Sequence, residues 1–235
     1  KYPPPSRMRT ASPQQVKEAL DSSARAQKEW SAWTNARRGG ILIAAADILD
    51  EYNDQLAELE AFDTGRPISE TRVVDIKSAS DCFRYMGARV KSFDGQYTEL
   101  PNGFCYVRRE PLGITAGIGA WNYPIQGMAW KAAPSLAAGN SFIFKPSEET
   151  PLTALMLAQA VEKAGAPQGL LNVMLGSGEI GKSLAESPEV SKISFTGSVP
   201  TGTRVAVAAA AGLKKCTLEM GGKSPLIVMK DANTE

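Results

Sequence analysis

Two hydrophobic periods divide this chain, and one replaces the other near residue 93. Over the first ninety residues apolar positions recur at three- and four-residue steps, the repeat of one helix face. In "SPQQVKEALDSSARAQKEWSAW", Ser12 stands as N-cap, Pro13 takes the first helical position and Gln15 closes a capping box, with Val16, Leu20 and Trp30 near one face. "RRGGILIAAADILDEYNDQLAELEAF" predicts one helix over 37–62 with Ile41, Ala45, Ile48, Tyr52, Leu56 and Leu59 as its stripe, stopped by Gly65 and Pro67. A third amphipathic helix is predicted over 69–90.

The period then drops to two. "QYTEL" and "FCYVRREPL" alternate as an antiparallel hairpin, with Asn102-Gly103 expected at its bend. From Ile114 onward, five apolar strands ("GITAGIGA", "SFIFK", "LLNVML", "VSKISFT", "CTLEM") are separated by four helical segments. That alternation predicts right-handed crossovers and an α/β fold: a Rossmann-like parallel sheet covered on both faces, with N-terminal helices and a protruding β-hairpin. Ligands of such sheets sit beyond the carboxyl ends of the strands, which directs attention to residues 120–123, 145–148, 176–178, 197–201 and 219–222.

Composition narrows the chemistry. The chain has 235 residues, 43% of them hydrophobic, and a net charge of +1 with no basic stripe, so neither nucleic acid nor another polyanion is expected as a partner. It contains no histidine, which removes His-ligated metals and every nucleophile activated by histidine. The three cysteines, Cys82, Cys105 and Cys216, are widely spaced, against a disulfide framework or zinc site and in keeping with a reducing, cytoplasmic setting. No apolar run approaches the roughly 18 residues needed to span a bilayer, so no membrane partner is expected. The opening "KYPPPSRMRT" has neither an initiator Met nor an apolar signal core and reads as the start of a processed product or a fragment.

Within the strand-end loops, "GSGEIG" (176–181) has the spacing of a pyrophosphate-binding glycine loop between a strand and a helix. Glycine is also common in such turns for conformational reasons alone, so both readings stand at this point. "FKPSE" places Lys145 one turn from Glu148, a carboxylate able to accept both hydroxyls of a ribose and to repel a 2′-phosphate; the plain alternative is a surface lysine and a first-turn glutamate. Gly197 and Ser198 in "FTGSVPTG" open a helix whose free N–H groups would attract phosphate, unless Ser198 merely caps it. Asn122 in "AWNYP" offers an amide to a developing oxyanion, or only a turn before Pro124. Glu219, ending an apolar strand before two glycines, is costly to bury unless paired or functional.

Taken in order, "FDTGRP", "REPLG", "GAWNYP", "AGNSFIFKPSE", "FTGSVPTG" and "LEMGGKSP" resemble the aldehyde dehydrogenase superfamily along essentially the whole chain, and "YVRREPLGITAGIGAWNYPIQ" and "LEMGGKSPLIV" resemble its betaine aldehyde and trimethylaminobutyraldehyde members. The resemblance implies NAD-dependent oxidation of a small-molecule aldehyde to the acid. It implies that Ser198, Val199, Pro200 and Thr201, with Gly197, hold the pyrophosphate, while Gly176 and Gly178 line the adenosine end. Gly119, Ala120 and Trp121 would border the nicotinamide, and Lys145, Pro146, Ser147 and Glu148 the adenosine ribose. Asn122 would hold the oxyanion, Glu219 act as general base and Lys131 relay protons. Tyr123 and Trp130, seven residues apart, would form two walls of an aromatic box for a quaternary ammonium. Carbonyls near Asp63, Glu149 and Leu213 would hold potassium, and a homodimer or homotetramer is implied.

The same resemblance divides the chain into helices of the cofactor domain (1–93), an oligomerisation hairpin (94–113), the NAD-binding domain (114–225) and the start of a catalytic domain (226–235). The family's nucleophilic cysteine matches none of the three present, and Cys216, an odd number of residues before Glu219, belongs on the opposite face of its strand. The chain is therefore expected to be a cofactor-binding portion without its nucleophile. Two other readings use the same motifs: a non-catalytic chain that acts by binding a dinucleotide, and a relative acting on acyl phosphates or semialdehydes.

Overall fold

A computed structural model describes residues 8–233. Helix α1 (Pro13–Ala32) begins as expected: Ser12 Oγ accepts from the Gln15 amide, and the Gln15 side chain accepts from the Ser12 amide. The predicted helix over 37–62 is two helices, α2 (Asn35–Glu51) and α3 (Asn53–Thr64), broken at Tyr52. The buried stripe of α2 is Leu42, Ala45, Ala46 and Leu49, shifted from the expected Ile41 and Ile48, because α2 packs against α5, α6 and α7 together. Gly65 ends α3 at φ 74°, the left-handed conformation that a C-cap glycine supplies.

The third helical stretch runs through α4 (Ile68–Glu70), a π-helical turn (Thr71–Asp75) and α5 (Ile76–Arg89). The π turn inverts the hydrophobic pattern locally. Val73 and Val74 face outward while Thr71 and Asp75 are fully buried, because Thr71 donates to the Ala57 carbonyl at 2.9 Å and Asp75 pairs with Arg66 at 3.0 Å.

Strands β1 (Gln96–Leu100) and β2 (Gly103–Val107) form the expected hairpin, but its two bend residues are Pro101 and Asn102. Gly103 is already paired with Leu100, and neither Asn102 nor Gly103 has positive φ. Proline with its φ near −65° suits the first bend position. All ten strand residues are exposed.

The main sheet is parallel, in the order β5 (Leu171–Val173), β4 (Ser141–Lys145), β3 (Ile114–Ile118), β6 (Val190–Gly197), β7 (Lys215–Met220). Helices α6 (Pro124–Ala137) and α7 (Leu152–Lys163) join one core with α2, α3 and α5, while α8 (Gly178–Glu186) and α9 (Val199–Ala211) join the other with the first half of α1. Alternation assigns each strand residue to one core: Phe142 and Phe144 to the first, Ile143 to the second. Glycines make room for the phenylalanines, since a Cβ at Gly117 or Gly119 would stand 2.5 Å from the ring of Phe142 or Phe144. β7 departs from the expectation of a sheet covered on both faces: Lys215, Thr217 and Glu219 are exposed, and only Cys216, Leu218 and Met220 pack inward. Among the described residues no helix is long and apolar enough to cross a membrane.

Candidate active site

Strand order reverses between β3 and β6, and in an open parallel sheet the ligand crevice forms beyond the carboxyl ends of such a pair. A crevice of about 1730 Å³ lies there. Of the residues expected around a cofactor, Gly119, Ala120, Trp121, Lys145, Ser147, Glu148, Gly178, Gly197, Ser198, Val199 and Thr201 line it, together with Asn122 and Glu219. Pro146 and Pro200 do not; each sits between lining residues and shapes the backbone, Pro200 in the first turn of α9.

Electrostatics separates the two candidate phosphate sites. At α8, the Ser177 hydroxyl accepts from the Glu179 amide, and Glu179 itself places a carboxylate in the first turn. At α9, Ser198 occupies the N-cap but its hydroxyl makes no cap bond, pointing instead to Thr201 Oγ1 at 3.1 Å. No acidic residue lies in the first turn of α9. Its leading N–H groups therefore remain available to an anion, whereas those of α8 are partly satisfied and shielded by like charge. In "GSGEIG", Gly176 has φ 147°, and a Cβ on Gly181 would meet Ile118 at 3.1 Å, so both glycines serve the turn and its packing.

Lys145 is buried and donates to Glu148 Oε2 at 2.7 Å, and that contact holds the Glu148 carboxyl below its ordinary pKa. Asn122 and Trp121 are exposed toward the crevice. The Trp121 carbonyl accepts from Thr150 Oγ1 at 2.8 Å, tying the loop after β3 to the loop after β4.

Glu219 sits on the exposed face of β7, so the cost of burial gives no argument for its role. Its position does. Glu219 pairs in register with Thr196 on β6, and Lys131 reaches from α6 to Thr196 Oγ1 at 2.5 Å. Burial pushes the Lys131 pKa down and the nearby Glu219 pushes it up. Cys216 lies with the opposite core, as strand parity requires.

Tyr123 and Trp130 both lie along the 66–78 segment. The Arg66 guanidinium sits 4.1 Å from the centre of the Tyr123 ring, and the Trp130 indole donates to Ser78 Oγ at 3.1 Å. Trp130 is 58% exposed, so it does not serve to pack α6 against the sheet. One face of Tyr123 is already covered by a cation of the protein. Neither ring borders the main crevice.

Asp63, Glu149 and Leu213 are not brought together. Asp63 accepts from the Leu152 amide at 2.9 Å, which places it beside the start of α7 and near Glu149. Leu213 lies between the end of α9 and the start of β7, at the amino end of the sheet, whereas α7 starts beyond the carboxyl end of β4. A parallel sheet separates those two ends, so within one chain Leu213 stands apart from the other two positions.

Sequence reasoning missed Thr196, Arg66 and Thr150, which connect the expected residues to one another. Thr196 and Arg66 each stood within a quoted motif, "FTGSVPTG" and "FDTGRP"; Thr150 carries no spacing signal toward its partner.

A doubly wound α/β sheet with a polar crevice at its switch point defines this chain as a nucleotide-fold protein of the open parallel class. The Aldehyde dehydrogenase family model matches residues 4–235, and the chain belongs to that family. "Betaine aldehyde dehydrogenase 2" of Rhizobium meliloti is 52% identical over 220 residues, covering 94% of this chain and 46% of its own length. A crystal structure of PnpE in complex with nicotinamide adenine dinucleotide superposes with TM-score 0.91 at 40% identity, covering 97% of this chain and 47% of that one. An E. coli NADP dependent enzyme superposes with TM-score 0.86 at 34% identity over 89% of this chain and 44% of its own. The chain spans about half the length of the curated relatives it matches.

Proposed function

We propose that the chain binds NAD in the crevice and serves the oxidation of an aldehyde to its carboxylic acid, with a trimethylammonio aldehyde such as betaine aldehyde as the substrate class. The observation that carries this reading is the gathering of an uncapped helix start, the Lys145–Glu148 pair, Asn122 and Glu219 around one crevice. The pyrophosphate rests on the first turn of α9 at Ser198–Thr201, and the adenosine ribose on Glu148. Asn122 donates to the oxygen that gains charge when a nucleophile adds to the carbonyl. Glu219 takes up a proton, with Lys131 and Thr196 behind it, since Thr196 is its register partner and Lys131 of α6 donates to the Thr196 hydroxyl. NAD, when bound, accepts the hydride.

Because structural neighbours are described with both NAD and NADP, the fold does not select the cofactor. Glu148 supplies the selection by accepting ribose hydroxyls and opposing a 2′-phosphate. Betaine aldehyde relatives support the substrate class, and Trp130, 58% exposed, is accessible to a cation. The exposed, stacked rings of Tyr97, Phe104 and Tyr106 support the hairpin as an oligomerisation surface of a homodimer or homotetramer. Calorimetric titration with NAD and NADP tests the reading: NAD binding that is lost in Ser198→Asp supports it, and the absence of NAD binding by the wild type sinks it.

A second reading, binding without catalysis, is favoured by the cysteines. Cys82 and Cys216 both have thiols pushed up by burial, Cys82 to about 11, and none of the three cysteines lines the crevice. NADH production from an aldehyde by a longer protein that carries this sequence together with a reactive cysteine separates the two readings.

A further inference from the structure

Glu60 of α3 is fully buried. Its Oε1 accepts from the backbone N–H of Ile125 at 3.3 Å, and its Oε2 accepts from the Thr153 hydroxyl. Ile125 and Thr153 are each the second residue of their helix, α6 and α7. One turn along α3, Asp63 Oδ2 takes the amide of Leu152, the first residue of α7. Neither helix is capped locally: the residues at their N-cap positions, Tyr123 and Pro151, make no side-chain cap bond. Donors left open at both helix starts are thus met by two carboxylates from a different layer.

Those two helices follow β3 and β4. The loops leading into them carry Asn122 and Glu148, and the Thr150–Trp121 bond joins the loops. A buried carboxylate without these donors would be costly, and the donors without the carboxylate would be left unpaired, so Glu60 and the two helix starts fix each other in place.

We propose that Glu60 is a positioning residue, which by capping α6 at Ile125 and holding the Thr153 side chain of α7 from α3 sets the loop bearing Asn122 against the loop bearing Glu148. The inference rests on the roles proposed above for Asn122 and Glu148. The charged groups around Glu60 are Asp63 on α3 and Asp75 on the π turn, the latter bonded to Arg66. Burial, followed by these two like charges, pushes the Glu60 carboxyl up to about 7 against the pull of its two hydrogen bonds. A glutamine at this position keeps both contacts, its oxygen accepting from Ile125 and its amide donating to Thr153 Oγ1, but it does not ionise.

The test is an NMR pH titration of the 235-residue protein, following the backbone amide of Ile125 and the side-chain amide of Asn122. In the wild type both signals are expected to move together with a midpoint near 7. Glu60→Gln holds both at their low-pH positions. Thr153→Val removes a donor that favours the ionised form, so the shared midpoint rises. Glu60→Ala, which loses the cap of α6 and the contact to Thr153, weakens NAD binding about fivefold, while Glu60→Gln stays within about twofold of wild type at pH 6. The proposal is overturned if Asn122 stays fixed while Ile125 titrates, or if both amides behave in Glu60→Gln as they do in the wild type. Absence of NAD binding in the wild type would instead strike the functional reading, because the coupling of the two amides is read without cofactor.

Discussion

Lys131 and Glu219, on different elements, both stand next to Thr196: Lys131 Nζ donates to Thr196 Oγ1 at 2.5 Å, and Thr196 is the cross-strand register partner of Glu219. Burial lowers the Lys131 pKa and Glu219 opposes that shift. Glu219→Gln should therefore lower it further, read from the pH dependence of the lysine side-chain NMR signal. An unchanged midpoint would mean that Glu219 does not sense Lys131 and that the proton path proposed here is broken.

Cofactor choice follows from Lys145 and Glu148. With the carboxylate in place, NAD is expected to bind at least about tenfold more tightly than NADP, a difference of about 1.4 kcal/mol. Glu148→Gln leaves buried Lys145 less neutralised and removes the charge that opposes a 2′-phosphate, so the ratio should fall toward one. Equal affinities in the wild type would remove Glu148 from the ribose site.

The uncapped start of α9 allows a variant with opposite effects on two properties. Ser198→Asp places a carboxylate where free amides and the helix dipole favour it, raising stability by about 0.5–1 kcal/mol. The same charge repels a pyrophosphate and should abolish most NAD binding. Thermal unfolding and titration on one sample check both, and a variant that is stabilised yet binds NAD normally would place the phosphates elsewhere.

Glu60 also governs stability against pH. Its folded pKa of about 7 lies above the ordinary carboxyl value of 4.5, so between these values the folded state holds a proton that the unfolded state has released. Stability from this group is thus full below pH 4.5 and falls as pH rises to 7, by roughly 3 kcal/mol in all. Glu60→Gln should flatten that slope, and denaturant unfolding at pH 5 and pH 8 measures it. A slope as steep in the variant as in the wild type would assign the loss to another group.

The cysteines lead to a negative expectation. With thiols pushed up by burial at Cys82 and Cys216, the 235-residue protein is expected to form no NADH from betaine aldehyde. Thiol-dependent NADH production that disappears in Cys216→Ser would reverse this expectation and make that residue a nucleophile.

What the sequence determined by itself was the part of the structure written in short-range pattern. The Ser12–Gln15 capping box, the Gly65 stop, the hairpin strands and the five-strand parallel sheet all depend on residues a few positions apart, and each is present. The loops at the strand ends were legible for the same reason, since a βα alternation fixes where its crevice must lie. Tertiary structure alone decided the rest. It broke a predicted helix at Tyr52 and buried Thr71 and Asp75 in place of Val73 and Val74, because distant partners, Ala57 and Arg66, satisfied the polar groups. It left one face of β7 open and put Leu213 at the opposite end of the sheet from Asp63 and Glu149. It joined Glu60 to Ile125 and Thr153, 65 and 93 residues away along the chain. Hydrogen bonds of that kind leave no periodic trace, since the donor and acceptor types are common and only the packed layers bring them within reach.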